Sequence, residues 1–261
     1  MHYTDPAIWI VSVLSLLAFA LVCNDAIAGC YSYRDFRAAL AAAEPEERER
    51  VRAGFLLDWS WQPWVLTLST VGFVALVPGV DLRSLGLAWP DFGGFLALVS
   101  GGGFGGGAAA GIALGIGVAL IGGMIAGVVA SRRKTAEGAS RDGGRPAVVN
   151  EYVEPMLPTG PEDRRAWVLL SITAGVTEEI MYRGLLLLVL SLLMPDAPIV
   201  LSGAIAVVAF GIAHIYQGWA GVVSTTLLAV VFVGLYAATG SVLIGMIVHV
   251  AIDMRLAFVK R

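Results

Sequence analysis

Residues 166–193 read AWVLLSITAGVTEEIMYRGLLLLVLSLL, an apolar run interrupted near its middle by Glu178, Glu179 and Arg183. About 20 apolar residues are enough to cross a bilayer as a helix. Ionisable side chains are costly in hydrocarbon, so within such a helix they usually face a protein interior or a polar cavity. The stretch therefore predicts a transmembrane helix whose charged residues line a polar site inside a helical bundle.

The composition of the whole chain agrees with that interpretation. The 261 residues are 57% hydrophobic and 14% charged, with a mean hydropathy of +0.80, whereas a soluble domain carries about 25% charged residues. We therefore predict an all-α fold, a polytopic transmembrane helical bundle surrounded by membrane lipids. The net charge of −3 does not suggest a nucleic-acid partner.

Seven spans are predicted, at residues 7–28, 62–80, 95–130, 166–193, 198–215, 219–238 and 241–259. Cutting the 92–130 stretch in two would give an eighth span. Arginine-rich loops fall at residues 31–58 and 131–165, and the positive-inside rule places both in the cytoplasm. The expected location is a prokaryotic plasma membrane, with the N-terminus outside and the C-terminus in the cytoplasm.

Small residues recur at every fourth position of the third span, from Gly103 to Gly127. Such a stripe forms a groove that allows a second helix to approach closely. Packing within the same bundle is one use of the groove, and homodimerisation is the alternative.

Two details of the first third of the chain complete this prediction. Residues 35–53 suggest either a surface helix on the cytoplasmic leaflet or a solvated linker. Asn24 and Asp25 lie near the end of the first span and are interpreted as an interfacial cap.

The two glutamates of the first charged motif are expected to have different functions. Glu179 and Arg183 are four residues apart, so on a helix they pair on one face and lower the cost of burying both charges. Glu178 is rotated by about 100° and lacks that partner. Desolvation makes an unpaired carboxylate a competent base near neutral pH. A salt bridge that only joins helices would account for Glu179 and Arg183, but not for Glu178.

Two further motifs place histidines in apolar spans, Phe210-Gly-Ile-Ala-His214 and His249-Val-Ala-Ile-Asp253. A single histidine in a span is often a hydrogen-bonded packing residue. Because His249 and Asp253 are four apart, their side chains share one helix face and point to the same cavity. The three motifs together predict a catalytic cavity formed by the late helices.

The order Glu-Glu-x-x-x-Arg, Phe-x-x-x-His and His-x-x-x-Asp, each in its own late span, resembles the CAAX prenyl endopeptidase and bacteriocin-processing family (CPBP, also called ABI). This is a family of glutamic intramembrane proteases. The stretch Leu82-Arg-Ser-Leu-Gly-Leu-Ala-Trp-Pro90 also resembles the loop that precedes the family's core. The chain then divides into residues 1–80, two spans with a cytoplasmic linker, and residues 81–261, the catalytic core.

The resemblance implies roles for the motif residues. Glu178 would be the general base that activates water, assisted by His214, and His249 and Asp253 would line the oxyanion site. The supporting residues Glu179 and Arg183 would hold the helix of the first motif.

One position departs from the prenyl endopeptidases, which carry Asn where this chain has Asp253. An ionised carboxylate cannot donate a hydrogen bond to an oxyanion. Asp253 is therefore either protonated, or it orients His249.

The predicted function is hydrolysis of a peptide bond in a membrane-associated or prenylated substrate by activated water, without cofactor or metal. No serine or cysteine has a neighbouring base that would make it a nucleophile. A zinc peptidase is the alternative enzyme, because two histidines with Glu and Asp are metal-ligand types. A non-catalytic scaffold or a proton-coupled transporter is the alternative outside enzymes.

Overall fold

The structure is a computed structural model that describes residues 7–93 and 151–258, and all regular structure in those two ranges is helical. The α-helices are α1 (Ile8–Cys23), α2 (Gly29–Ala42), α3 (Arg48–Leu76), α4 (Pro161–Glu178), α5 (Leu187–Leu193), α6 (Ile199–Ala213), α7 (Gly218–Thr239) and α8 (Leu243–Met254). Two π-helical segments are π1 (Asn24–Ala28) and π2 (Glu179–Leu186). The all-α prediction is confirmed for this part of the chain. The predicted third span, its glycine groove and the homodimer it suggested lie outside the described residues.

The first helix is longer than one span. The segments α1, π1 and α2 run without a break from Ile8 to Ala42, a helix of 35 residues. At 1.5 Å per residue it is about 52 Å long, against about 30 Å for the hydrocarbon core of a bilayer. Asn24 and Asp25 lie in its middle, so they do not cap the end of a helix, and their position at the membrane interface stays a prediction.

The segment 35–53 is neither a separate surface helix nor a linker. Its first part is the end of α2 and its last part is the start of α3, so only residues 43–47 connect the two helices. The two helices extend into the loop that the arginine count had placed in the cytoplasm.

The motif helix runs through residues 161–193 as α4, π2 and α5. Its start is fixed by Pro161 at the first helical position, where the missing N–H costs nothing. The Asp163 carboxylate accepts a hydrogen bond from the backbone N–H of Gly160 at 2.9 Å. The observed helix contains the predicted span 166–193 in full.

Two of the described helices are long and apolar enough to cross a membrane by length and composition, Ile8–Ala42 and Ile215–Thr239. Helix α6 is apolar but has 15 residues. The motif helix carries three charged residues within its apolar run. The count of seven spans therefore stays a prediction.

Close helix packing brings the motifs together. Helix α4 packs against α3 and α8, and α6 packs against α7. A Cβ atom on Gly175 of α4 would lie 2.8 Å from the backbone nitrogen of Val250 in α8, so the two backbones are in contact there. A Cβ atom on Gly245 would likewise lie 2.8 Å from Oε2 of Glu179. These two glycines allow α8 to lie directly on the first motif.

Candidate active site

The first motif lies where the motif helix changes from α-helical to π-helical hydrogen bonding. Glu178 is the last residue of α4, and every residue of π2 from Glu179 to Leu186 is buried. Glu179 Oε1 lies 3.1 Å from Arg183 Nη1, and both side chains are 1% exposed. π-Helical segments are rare in proteins, and many of those that occur lie at functional sites.

Arg183 is held between two aromatic rings as well as by Glu179. Its guanidinium carbon lies 4.4 Å from the ring centroid of Phe210 and 5.0 Å from that of Phe232. Cation–π contacts of this kind are stronger when the cation is desolvated. Phe232 belongs to none of the three motifs, and the sequence analysis missed it because an apolar residue in an apolar span gives no signal.

His249 shares the Glu179 carboxylate with Arg183. Its Nδ1 lies 2.9 Å from Glu179 Oε1, and because an ionised carboxylate only accepts, Nδ1 carries the hydrogen of this bond. The Phe232 ring stacks on the imidazole with centroids 4.9 Å apart. His249 is therefore fixed by Glu179 and Phe232, and Glu179 has a second role that the sequence analysis did not assign.

The free nitrogen of His249 faces the other two carboxylates of the site. Its Nε2 lies 3.8 Å from Glu178 Oε2 and 3.6 Å from Asp253 Oδ2. Both distances are longer than a hydrogen bond. The direct hydrogen bond to the His249 ring comes from Glu179, and the two roles left open for Asp253 stay predictions.

His214 lies at the end of α6 and is oriented by its own helix. Its Nδ1 lies 2.8 Å from the carbonyl oxygen of Phe210, and since a carbonyl can only accept, Nδ1–H is the donor. Its Nε2 is then left facing Glu178 Oε2 at 4.0 Å. The Phe-x-x-x-His spacing thus has a local reason, because the backbone of the first residue holds the ring of the last.

Glu178 is the point at which these groups converge. Its Oε2 is buried and has no hydrogen-bond partner among the described residues. The side chain as a whole is 24% exposed, against 1% for Glu179. A buried carboxylate oxygen without a partner is unusual enough in a folded protein to require an explanation.

No group of three or more His, Cys, Asp or Glu side chains in residues 7–93 and 151–258 is arranged so that it could hold a metal ion. The structure thus brings together Glu178, His214, His249 and Asp253, with Glu179 and Arg183 beside them. The nitrogen–oxygen distances between the first four side chains are 3.6–4.0 Å, and the predicted catalytic cavity stays a prediction.

The turn before the core also lies against the site. Leu82–Leu85 forms a 3₁₀ turn in which Leu85 is fully buried. A Cβ atom on Gly184 of π2 would lie 2.7 Å from the carbonyl oxygen of Leu85. This turn supports π2 from outside the three motifs.

A further polar contact comes from the first helix. Asp25 Oδ2 accepts a hydrogen bond of 2.8 Å from the hydroxyl of Tyr182 in π2. The signal for Asp25 was present in the sequence, since it is a carboxylate in an apolar span, the same feature that identified Glu178.

A comparison with protein families concerns the segment that carries the three motifs. The family model for Rce1-like type II CAAX prenyl endopeptidases matches residues 162–255, a segment that contains all three motifs. Comparisons with curated proteins and with solved structures gave no match. The resemblance inferred from the motifs is confirmed over this segment, and together with the apolar helices it indicates a membrane protease of the CAAX type.

Proposed function

We propose, from this family match and the geometry around Glu178, that the protein is a membrane endopeptidase in which Glu178 is the general base. The observation that carries the proposal is the buried, unpartnered Oε2 of Glu178, which faces the Nε2 atoms of His214 and His249 at 4.0 and 3.8 Å. An oxygen that binds no protein donor is free to accept a hydrogen bond from a water molecule. Glu179 is unsuited to this role, because Arg183 and His249 already occupy its Oε1.

The proposed reaction begins when Glu178 takes a proton from water while the water oxygen attacks the carbonyl carbon of the scissile peptide bond. His214 Nε2 accepts a hydrogen bond from the same water and directs its lone pair. The attack forms a C–O bond and a tetrahedral oxyanion. Glu178 then gives its proton to the leaving amine as the C–N bond breaks, so the base is regenerated without a covalent intermediate.

His249 and Asp253 are proposed to stabilise the oxyanion. Because Nδ1–H of His249 is bonded to Glu179, only the protonated imidazole has an Nε2–H that can donate to the oxyanion. The carboxylates of Glu179 and Asp253 lie 2.9 and 3.6 Å from the ring nitrogens, where their negative charges would balance a positive imidazole during the reaction. An ionised Asp253 thus contributes through His249 without donating a hydrogen bond itself.

The substrate class follows from the family alone. We propose a peptide or protein at the cytoplasmic face of the plasma membrane, carrying a prenylated CAAX-type C-terminus.

The test uses the purified full chain in detergent with an internally quenched, farnesylated peptide that ends in a CAAX sequence. Glu178→Gln should lower kcat by about 10²- to 10⁴-fold, the range for a general base, without changing thermal stability. Glu162→Gln is the matched control, because Glu162 is an exposed glutamate at the start of the same helix. A fully active Glu178→Gln protein would refute the proposed mechanism.

Two additional arms separate the alternatives. Equal cleavage of the same peptide without its farnesyl group would refute the substrate class but not the chemistry. Loss of activity on chelation, with recovery on adding zinc, would identify a metallopeptidase.

A further inference from the structure

Asp25 is a carboxylate in the middle of the first helix, outside the segment that matches the family. It is half-buried and accepts two hydrogen bonds, from the Tyr182 hydroxyl at 2.8 Å and from Asn24 Nδ2 at 3.2 Å. An acidic residue in an apolar helix is costly and usually functional. Neither the three motifs nor the proposed reaction uses it.

The partner of Asp25 is central to the first motif. Tyr182 lies directly before Arg183, and its side chain is 1% exposed. A buried tyrosine hydroxyl requires a hydrogen-bond acceptor, and Asp25 supplies it from another helix. The contact therefore fixes the end of the Tyr182 ring relative to the first helix.

Both partners lie in π-helical segments. Asp25 is the second residue of π1, and Tyr182 lies in the first half of π2. A π-helical turn carries one more residue than an α-helical turn and so changes the direction in which a side chain points. The hydrogen bond between Tyr182 and Asp25 therefore joins two irregular turns, one in the first helix and one in the motif helix.

Tyr182 connects this contact to the histidines. Its ring packs edge-on against Phe210, with centroids 5.0 Å apart and planes at 88°. Phe210 in turn accepts the hydrogen bond from His214 Nδ1 and lies under the guanidinium of Arg183. A displacement of Tyr182 would therefore also move His214, because Phe210 contacts both residues.

We propose that Asp25 is a positioning residue of the active site, which holds the Tyr182 ring and through it Phe210 and His214. The first helix then completes the site, although the family match begins only at residue 162. The effect on turnover rests on the function proposed above, but the effect on the position of His214 does not.

The first arm of the test needs no substrate. The chain has three histidines, so selective ¹⁵N-histidine labelling gives few signals, and His214→Gln identifies those of His214. Asp25→Ala and Tyr182→Phe should shift the His214 imidazole signals by similar amounts, and the double variant should shift them no further. Asp25→Asn, unlike Asp25→Ala, keeps an acceptor oxygen, so its His214 signals should match those of the wild type. Asp35→Ala, at an exposed acidic residue of the same helix, is the control and should cause no shift.

The second arm measures cleavage of the farnesylated peptide. Asp25→Ala should lower kcat on the order of tenfold with little change in KM, because misplacement of a catalytic group slows the chemical step. Asp25→Asn should recover most of the loss.

Results that contradict the role of Asp25 can be distinguished from results that contradict the proposed function. An unshifted His214 signal in Asp25→Ala, additive shifts in the double variant, or a wild-type kcat in Asp25→Ala would each overturn the positioning role. A wild-type protein that cleaves nothing would instead refute the proposed function, while the ¹⁵N spectra still decide the role of Asp25.

Discussion

Two buried arginines, Arg52 and Arg183, are held in contrasting ways. Arg52 is 5% exposed and donates hydrogen bonds of 2.8 Å to the Pro155 carbonyl oxygen, the Thr159 hydroxyl and the Asp163 carboxylate. Arg183 is 1% exposed and has the Glu179 carboxylate and two aromatic faces around it. Its Nη1 lies 3.1 Å from Glu179 Oε1 in this ion pair, but neither Nη1 nor Nη2 makes a well-aligned hydrogen bond to a described residue.

The difference separates a structural network from a candidate catalytic one. A network in which every polar group is paired makes the local structure rigid and specific. Charges that are incompletely paired in a low-dielectric interior cost free energy, and proteins retain such arrangements mainly at functional sites. Arg52 therefore joins α3 to the start of the motif helix, whereas Arg183 belongs to a set of groups suited to chemistry.

The largest effect on stability is expected from Glu179→Gln. This change removes the negative charge that faces both Arg183 and His249, although an amide oxygen remains as an acceptor, and should cost about 3–5 kcal/mol of unfolding free energy as well as activity. Thermal and denaturant unfolding in detergent would measure it, with Glu178→Gln as the matched variant of the neighbouring residue. If Glu178→Gln were the less stable of the two, the assignment of base and structural partner would have to be exchanged.

A smaller loss is expected from Arg52→Ala. Asp163 keeps hydrogen bonds from the Thr159 and Gly160 backbone N–H groups and from the Thr159 hydroxyl, so its charge is not stranded. We expect a loss of about 1.5–3 kcal/mol, that of hydrogen bonds to a charged group. Turnover of the folded fraction should be unchanged, and a large fall in kcat would mean that the two arginines are not functionally distinct.

The pH dependence of stability should reveal the lowered pKa of Asp163. Burial alone would raise the pKa of Asp163, but hydrogen bonds from the Thr159 and Gly160 backbone and from Arg52 outweigh it and hold the pKa below its ordinary value of 3.8. A depressed pKa in the folded state contributes stability that is present above the ordinary value and is lost as the pH falls through the lowered one. Below about pH 4 the thermal midpoint of the wild type should therefore fall more steeply than that of Asp163→Asn. Parallel curves would contradict this account.

The contrast also assumes that Arg52 lies outside the bilayer and Arg183 within it. Cysteine introduced at Ala43, in the connection before α3, should be labelled by a membrane-impermeant reagent only from the cytoplasmic side. Cysteine introduced at Arg83, in the exposed turn before the core, should be labelled only from outside. The reverse pattern would invert the predicted topology, and labelling of both from one side would change the number of spans between them.

The sequence predicted the all-α fold and the motif helix because their physical signals are local. Length and apolarity identify residues 166–193, and the i, i+4 spacing predicts the contact of Glu179 with Arg183 that the structure contains. The roles of the site residues stay predictions, since their positions alone do not test catalysis.

The contacts that were missed depend on tertiary structure. Nothing in the spacing of one helix indicates that Phe232 stacks on both Arg183 and His249. Asp25 was assigned to the end of a span because hydropathy locates the span but does not show that the helix continues beyond it to Ala42. A carboxylate within a continuous helix must find its partner on another element, and only the packing shows which one.

The sharing of one carboxylate by Arg183 and His249 has an evolutionary consequence. If the proposed mechanism holds, a mutation of Glu179 would damage folding and chemistry in a single step, because both Arg183 and His249 contact its carboxylate. Glu178 Oε2, by contrast, has no hydrogen-bond partner in residues 7–93 and 151–258, so we expect the loss of Glu178 to leave a folded bundle. On the proposed mechanism, the same scaffold can therefore give rise to an inactive descendant by one substitution at Glu178, and that descendant would keep its fold while losing proteolysis.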